Sequence, residues 1–239
     1  MKISAIVLAG ETANEELLEK CLKSLAWCDE IVKVEPESKN EDFSKWRNEG
    51  AKKAKNEWLF YVDSDEEVTP KLRKEIKSAI KSSKEEVGAF AIPRENILLG
   101  KKMRHGGWFP DYVLRLIKKE KLVHWEGRLH EQPKIKGETG YLKSPFIHKK
   151  HDDIAGMVEK TNKWSEVEGR LMYEAGHPQM NFFRFASAGM REFWQRMILQ
   201  TAFLDGVEGT IYGLYQVYSR LISYAKLWEM QIKNEGGNI

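Results

Sequence analysis

Residues Trp58-Leu59-Phe60-Tyr61-Val62 are five consecutive apolar positions, followed at once by Asp63-Ser64-Asp65-Glu66. A strand sends alternate side chains to opposite faces, so a strand that is apolar throughout is buried on both. A chain with such a segment must build a sheet covered on two sides. Asp63 and Asp65 stand at i and i+2, on one side of the strand if its conformation persists past Val62. They would then converge at its carboxyl end, where open α/β sheets take ligands. Two hard oxygen ligands there suit Mg²⁺ or Mn²⁺ carrying a diphosphate. A structural reading stands beside this one. Thr69-Pro70 has the form of an N-cap followed by proline at the first helical position, and carboxylates just ahead of a helix favour its dipole.

The surrounding segments supply the covering layers. Residues 2–9 read as a first strand. Residues 15–25 read as a helix, with Leu17, Leu18, Cys21, Leu22 and Leu25 at helical spacing. A strand at 30–34, a helix at 43–55 with Trp46, Ala51 and Ala54 inward, the 58–62 strand, a helix at 70–82 and a strand at 87–93 continue the alternation. This predicts an α/β fold with a mostly parallel sheet flanked by helices. After Pro93 the pattern changes to short strands at 96–102, 112–117 and 140–147, punctuated by Gly and Pro. Five of the six histidines fall between His105 and His151. Beyond Asp152 the chain turns helical, and Ile211, Leu214, Tyr215, Tyr218, Leu221, Ile222, Ala225 and Trp228 form one apolar stripe. That stripe is read as core or as a homodimer face, or as a surface for interfacial membrane contact. The expected organisation is a sheet-bearing domain over 1–151, divided at 93/94, and a helical region over 152–239.

Composition narrows the classes. At 41% hydrophobic residues, global disorder is excluded. A net charge of +3, with basic residues interspersed among acidic ones, gives no reason to expect nucleic acid. Cys21 and Cys28 form neither a metal-binding spacing nor a disulfide framework, so reduced thiols in a cytosolic protein are expected. The opening apolar stretch is short and soon followed by Glu11, Glu15 and Glu16, which favours a first strand over a signal peptide. No run approaches the roughly 18 apolar residues of a membrane span, so any membrane contact is expected to be peripheral.

In order and spacing, the motifs resemble the family 2 glycosyltransferases of GT-A fold, and among them the bacterial lipopolysaccharide-core β-glucosyltransferases. The resemblance is carried by Asn14-Glu15, by Cys21 to Leu25 with Trp27 to Val32, by Arg47-Asn48 and by Trp58 to Glu66. It continues through Arg94-Glu95-Asn96 with Gly100, Gly106 to Asp111, Arg115-Leu116, His130-Glu131, Asp205-Gly206, Gly209 and Tyr224 to Glu229. The chain departs from the family after the second strand. That strand runs into Glu35-Pro36-Glu37-Ser38, and the helix and strand that normally follow are missing. The donor pocket would then be trimmed, or the nucleotide preference altered.

The resemblance implies an inverting transfer of a hexose from a nucleotide-diphosphate sugar, UDP-glucose by first choice. The acceptor would be a cell-envelope glycan or glycolipid met at the cytoplasmic face of the membrane. Asp63, Asp65 and His148 would hold Mn²⁺ or Mg²⁺. Glu35, Arg47, Asp63 and Ser64 would serve the donor, and Arg94, Asn96, Trp108, Arg115 and His130 the acceptor. Glu131 is the implied base and Asp111 the alternative. The wider alternatives are a degenerate GT-A domain that binds a sugar nucleotide or partner without turnover, and a metal hydrolase built on the histidines.

Overall fold

The computed structural model describes residues 1–10, 13–35, 42–127, 131–151 and 153–235. The chain forms two compact units, Met1–Glu95 with Pro110–Lys149, and Asn96–Phe109 with Lys150–Ile239.

The first unit is a sheet between helices. Its strands are β1 (Ile3–Leu8), β2 (Glu30–Val34), β3 (Trp58–Asp63), β4 (Glu66–Val68) and β5 (Val87–Leu98). In the second unit, Ile97 and Leu98 of β5 pair with β6 (Lys101–Lys102). The first unit continues with β7 (Asp111–Lys118), β8 (Leu122–Glu126), β9 (Gln132–Ile135), β10 (Glu138–Tyr141) and β11 (Phe146–His151). The strand order is β2-β1-β3-β7-β5-β11-β4, with β10 against β5. Pairing is parallel between β2, β1 and β3 and between β10 and β5. It is antiparallel between β3 and β7, β5 and β7, and β11 and β4. The α/β class is as expected, with the parallel character concentrated in the first three strands. Strands β8 and β9 form a separate antiparallel hairpin.

Helices α1 (Glu15–Ser24), α2 (Phe43–Lys53) and α3 (Pro70–Ser82) start where the sequence supplies caps. The side chains of Asn14, Asp42 and Thr69 accept the orphan N–H groups of Leu17, Lys45 and Leu72, and Pro70 opens α3. The apolar β3 strand is buried on both faces, as its composition requires. Trp58, Phe60 and Val62 pack with Cys21 of α1, with Leu25 that caps it and with Leu72, Ile76 and Ile80 of α3. Leu59 and Tyr61 pack with Trp46 of α2 and with Trp125. Burying one such side chain contributes about 2–3 kcal/mol. Gly50 lets α2 sit directly on β1, since a Cβ there would meet Ile6 Cγ2 at 2.4 Å.

The second unit is mainly helical: α4 (Ile154–Glu174), α5 (Phe182–Phe193) and α6 (Gly206–Glu235). A π-helical turn at Trp194–Leu199 and a 3₁₀ turn at Ala202–Asp205 connect α5 to α6. Leu98, Met103, Met157 and Tyr212 form its buried cluster. The Asp205 carboxylate accepts the N–H groups of Arg104 and His105 and pairs with His105 Nδ1 at 2.8 Å, which ties the 96–109 segment to the helices. Burial alone would raise the Asp205 carboxyl, but these His105 and backbone bonds outweigh it and hold it below its ordinary range.

Candidate active site

Strand β3 ends at Asp63, which lies beside Leu8 at the carboxyl ends of two parallel strands. Ser64 and Asp65 turn the chain into β4. The turn is fixed at both ends. The Asp63 N–H donates to Glu66 Oε2 at 3.0 Å, and the Asp65 carbonyl accepts from Lys149 N at 3.1 Å. Strand β4 was not anticipated from sequence. Its three residues pair with β11, which sets His148 opposite Glu66.

Three arginines surround this turn. Arg47, on the inward side of α2, is only 2% exposed and stacks near Trp125, 4.9 Å from the ring centre, and Tyr61, 5.9 Å. Its Nη2 donates to Asp63 Oδ1 at 2.9 Å and its Nε to Glu131 Oε1 at 2.8 Å. Arg115 of β7 bonds the other Asp63 oxygen and lies 3.6 Å from Glu66 Oε1. Arg94 of β5 faces Asp111 across the strand pair and grips its Oδ2 through Nε at 2.9 Å and Nη2 at 2.7 Å. It stands 3.9 Å from Glu66.

The cluster's electrostatics follow from its composition. Burial would raise the Asp63 carboxyl, but Arg115 and Arg47 overcome this and hold it well below the usual range. Glu66 goes the other way. Its burial raises it and the Asp63 charge adds to the effect, against opposition from Arg115. Burial would lower Arg115, yet Asp63, Glu66 and Glu131 hold it above its ordinary value. Three guanidiniums face four carboxyls, and Glu66 is the one whose carboxyl is driven upward. Arg47 Nη1 and Arg115 Nε are buried donors with no hydrogen-bond acceptor among the described residues. Such groups are costly to leave unmet, and they suit an anionic ligand.

Asp65 stands beside His148. Its Oδ2 is 3.5 Å from Nε2 of the buried His148. Among the described residues no three metal-ligating side chains come together. The Asp65–His148 pair still fits the chemistry of Mg²⁺ or Mn²⁺, which are usually held by one or two protein ligands with substrate phosphates completing the shell. Asp63, expected as a further ligand, is engaged here by Arg47 and Arg115.

The remaining sequence candidates are dispersed. Ser64 sits half-buried in the turn. Glu35 is exposed beyond β2, where Lys33 at 2.7 Å lowers its carboxyl by hydrogen bonding. Asn96 is fully buried in the second unit, and its amide donates to the Trp108 carbonyl at 2.9 Å. The Trp108 ring has Lys150 at 4.6 Å, Arg196 at 4.7 Å and Tyr212 edge-on at 4.8 Å. His130 lies outside the described residues. Two residues that sequence reasoning left without a role stand out. Glu66 couples to Asp63 through its backbone and to two arginines. Asn48 bonds both the N–H and the carbonyl of Trp125, at 2.8 and 2.9 Å, and so ties β8 to α2. The Arg47-Asn48 and Asp63-to-Glu66 motifs carried the signal for both.

The structure of TarS 1-349 from S. aureus is 12% identical, covers 98% of this chain and 92% of that chain, and superposes with a TM-score of 0.42. The same S. aureus fragment in complex with UDP-GlcNAc and with UDP gives TM-scores of 0.45 and 0.43 at the same identity and coverage. Residues 12–140, more than half of the 239, match the model of the family described as glycosyl transferase family 2. The chain belongs to that family.

Proposed function

We propose that this protein is a divalent-metal-dependent, inverting glycosyltransferase. It would move a hexose, glucose from UDP-glucose by first choice, onto a cell-envelope glycan or glycolipid such as a lipopolysaccharide-core precursor. The C-terminal helices would meet the membrane peripherally, on its cytoplasmic face. The observation that carries this reading is the Arg47–Asp63–Arg115–Glu131 cluster beside the Asp65–His148 pair, at the carboxyl end of β3 in a family 2 chain.

In this reading Asp65 and His148 hold the metal. When bound, the metal stabilises negative charge developing on the leaving diphosphate. Arg47 and Arg115 turn their spare donors to the diphosphate oxygens and add fixed positive charge where the glycosidic bond breaks. Asp63 keeps those two guanidiniums in place and contacts the donor. Ser64 and Glu35 line the donor side. Arg94, in the same unit as Glu131, would orient the acceptor. The acceptor hydroxyl attacks the anomeric carbon and its proton passes to Glu131, in one displacement with inversion. Glu131 is preferred to Asp111 because it shares the Arg47 guanidinium with Asp63, which links the base directly to the metal turn. Asp111 is gripped twice by Arg94 instead.

The test is a thermal-shift screen of nucleotide sugars with Mn²⁺, followed by donor hydrolysis with and without the metal. One donor should raise Tm selectively and be hydrolysed faster with Mn²⁺. Stabilisation without turnover in any metal would leave a sugar-nucleotide-binding domain, and no shift with any donor would end the reading.

A further inference from the structure

Residues of α5, α6 and the turns between them leave large apolar side chains in solvent. Phe182 is 77% exposed, Phe183 79%, Trp194 57% and Leu199 62%. Leu204 and Val207 are also exposed, as are Leu214 and Tyr218 of α6. A groove of about 790 Å³ between α5 and α6 is lined by Phe185, Met190, Phe193 and Leu221 among others, with no charged side chain. A second groove of about 980 Å³, between α4 and α6, is lined by Val158, Tyr218 and Trp228 together with Glu159, Lys226, Glu229 and Lys233. Ile222 and Ala225 border both grooves, so the apolar residues of all three helices join in one face. Soluble monomers rarely expose continuous apolar surface beyond a few hundred Å².

The charge around this face selects its occupant. Between Glu174 and Asp205 the only acidic residue is Glu192, against Arg184, Arg191 and Arg196. Glu192 is already met by Arg196 at 2.8 Å and Arg220 at 3.8 Å. Arg184 and Arg191 have no carboxylate partner among the described residues, and by helical spacing they share one arc of α5, about 100° around from the arc of Phe183 and Met190. From Gly209 to Trp228 the only charged residues are Arg220 and Lys226. An amphipathic helix with aromatic residues on one arc and arginines on the next is the pattern of a helix lying in a lipid interface. On α5 itself the two arginines outnumber the one carboxylate, Glu192, a balance that suits an anionic surface. No helix of the described residues is long and apolar enough to cross a membrane.

We infer that the α4–α6–α5 face docks on an anionic lipid bilayer, with the aromatic residues in the acyl boundary and Arg184 and Arg191 on lipid phosphates. This deepens the proposed peripheral membrane contact by naming the surface and the lipid chemistry, and it rests on that part of the functional reading.

The experiment is vesicle co-sedimentation of the full chain, with phosphatidylcholine vesicles containing phosphatidylglycerol compared with phosphatidylcholine alone. Binding should be at least about tenfold tighter to the anionic vesicles and should weaken with salt. Phe183→Glu with Trp194→Glu, and separately Arg184→Glu with Arg191→Glu, should each lower it by at least about tenfold without changing Tm or donor hydrolysis. Equal binding to both vesicles, or none to either, overturns the inference. So does a dimer in light scattering that the aromatic variants dissociate, because a second copy would then be the occupant. Vesicle binding by a protein that turns over no donor would sink the transferase reading and leave this one standing.

Discussion

The two units bury opposite things. The sheet unit takes charge out of water: Arg47, Glu66 and Arg115 are almost fully enclosed, and four carboxyls compete for three guanidiniums. The helical unit leaves phenylalanine and tryptophan in solvent along α5. Folding alone favours neither arrangement. Buried ion pairs often contribute little net stability, and exposed apolar surface forgoes the hydrophobic gain. Each departure is where a contact outside the chain is proposed, with an anionic small molecule in one unit and a lipid surface in the other.

The largest expected effect tests the charged side of this contrast. Asp65→Ala should cut metal-dependent donor turnover by about a thousandfold or more while the fold, read by circular dichroism, survives. Retained Mn²⁺-dependent turnover would remove Asp65 from the metal. Next, Glu131→Gln should lower transfer by about 10²–10⁴-fold with donor affinity nearly intact. If donor affinity, measured by calorimetry, falls in step with transfer, Glu131 anchors the donor rather than taking the proton.

Asp63→Asn should cost about 3 kcal/mol in denaturant unfolding, since it leaves Arg47 and Arg115 short of a counter-charge. A pH profile sharpens this. The Asp63 carboxyl is held below its unfolded value, so its stabilisation is fully present above the ordinary Asp value of about 4. It is lost as pH falls toward the depressed native value. The acid limb of the stability curve should flatten in Asp63→Asn; an unchanged limb would mean that other groups govern acid unfolding. The smallest effect lies on the apolar side. Phe183→Ser should change stability by no more than about 0.5 kcal/mol, whereas a buried Phe60→Ala should cost about 3–5 kcal/mol. A large loss at Phe183 would mean that the exposed face is a packing surface after all.

The sequence revealed the parts that obey local rules. β3 announced itself by five apolar residues in a row, α1 by helical spacing and α3 by its Thr69-Pro70 cap. Strands β4, β8 and β9 did not, because each is only three to five residues long, too short for a clear alternation, and its existence depends on the pairing it makes. The expected 140–147 strand is split, with β10 and β11 on either side of a turn. The candidate site was legible as residue types: Asp63, Asp65, Arg47, Arg115, Glu131 and His148 do come together in one unit. Their pairings were not legible. Spacing says that Asp63 and Asp65 can share a side, but not that arginines from α2 and β7 take Asp63 while His148 takes Asp65. Glu66 went unassigned because it is the next residue in the chain after the motif, and only the three-dimensional return of its carboxylate to the Asp63 N–H gives it a part. On α6, Tyr212 and Leu227, outside the stripe read from the sequence, turn inward, while Leu214, Tyr218 and Trp228 of that stripe remain exposed, a division that periodicity alone does not resolve.

Asn48 and Arg47 are consecutive on α2, and each holds a different part of the same hairpin region: Asn48 the β8 backbone, Arg47 the Glu131 carboxylate that precedes β9. Neighbouring helical positions point about 100° apart. One rigid helix thus serves as a jig with two fixed prongs, and adding or deleting a single residue upstream within α2 would rotate both prongs off their targets together. The placement of the Glu131 carboxylate and of the Trp125 backbone is therefore machined into one dipeptide rather than negotiated between separate loops.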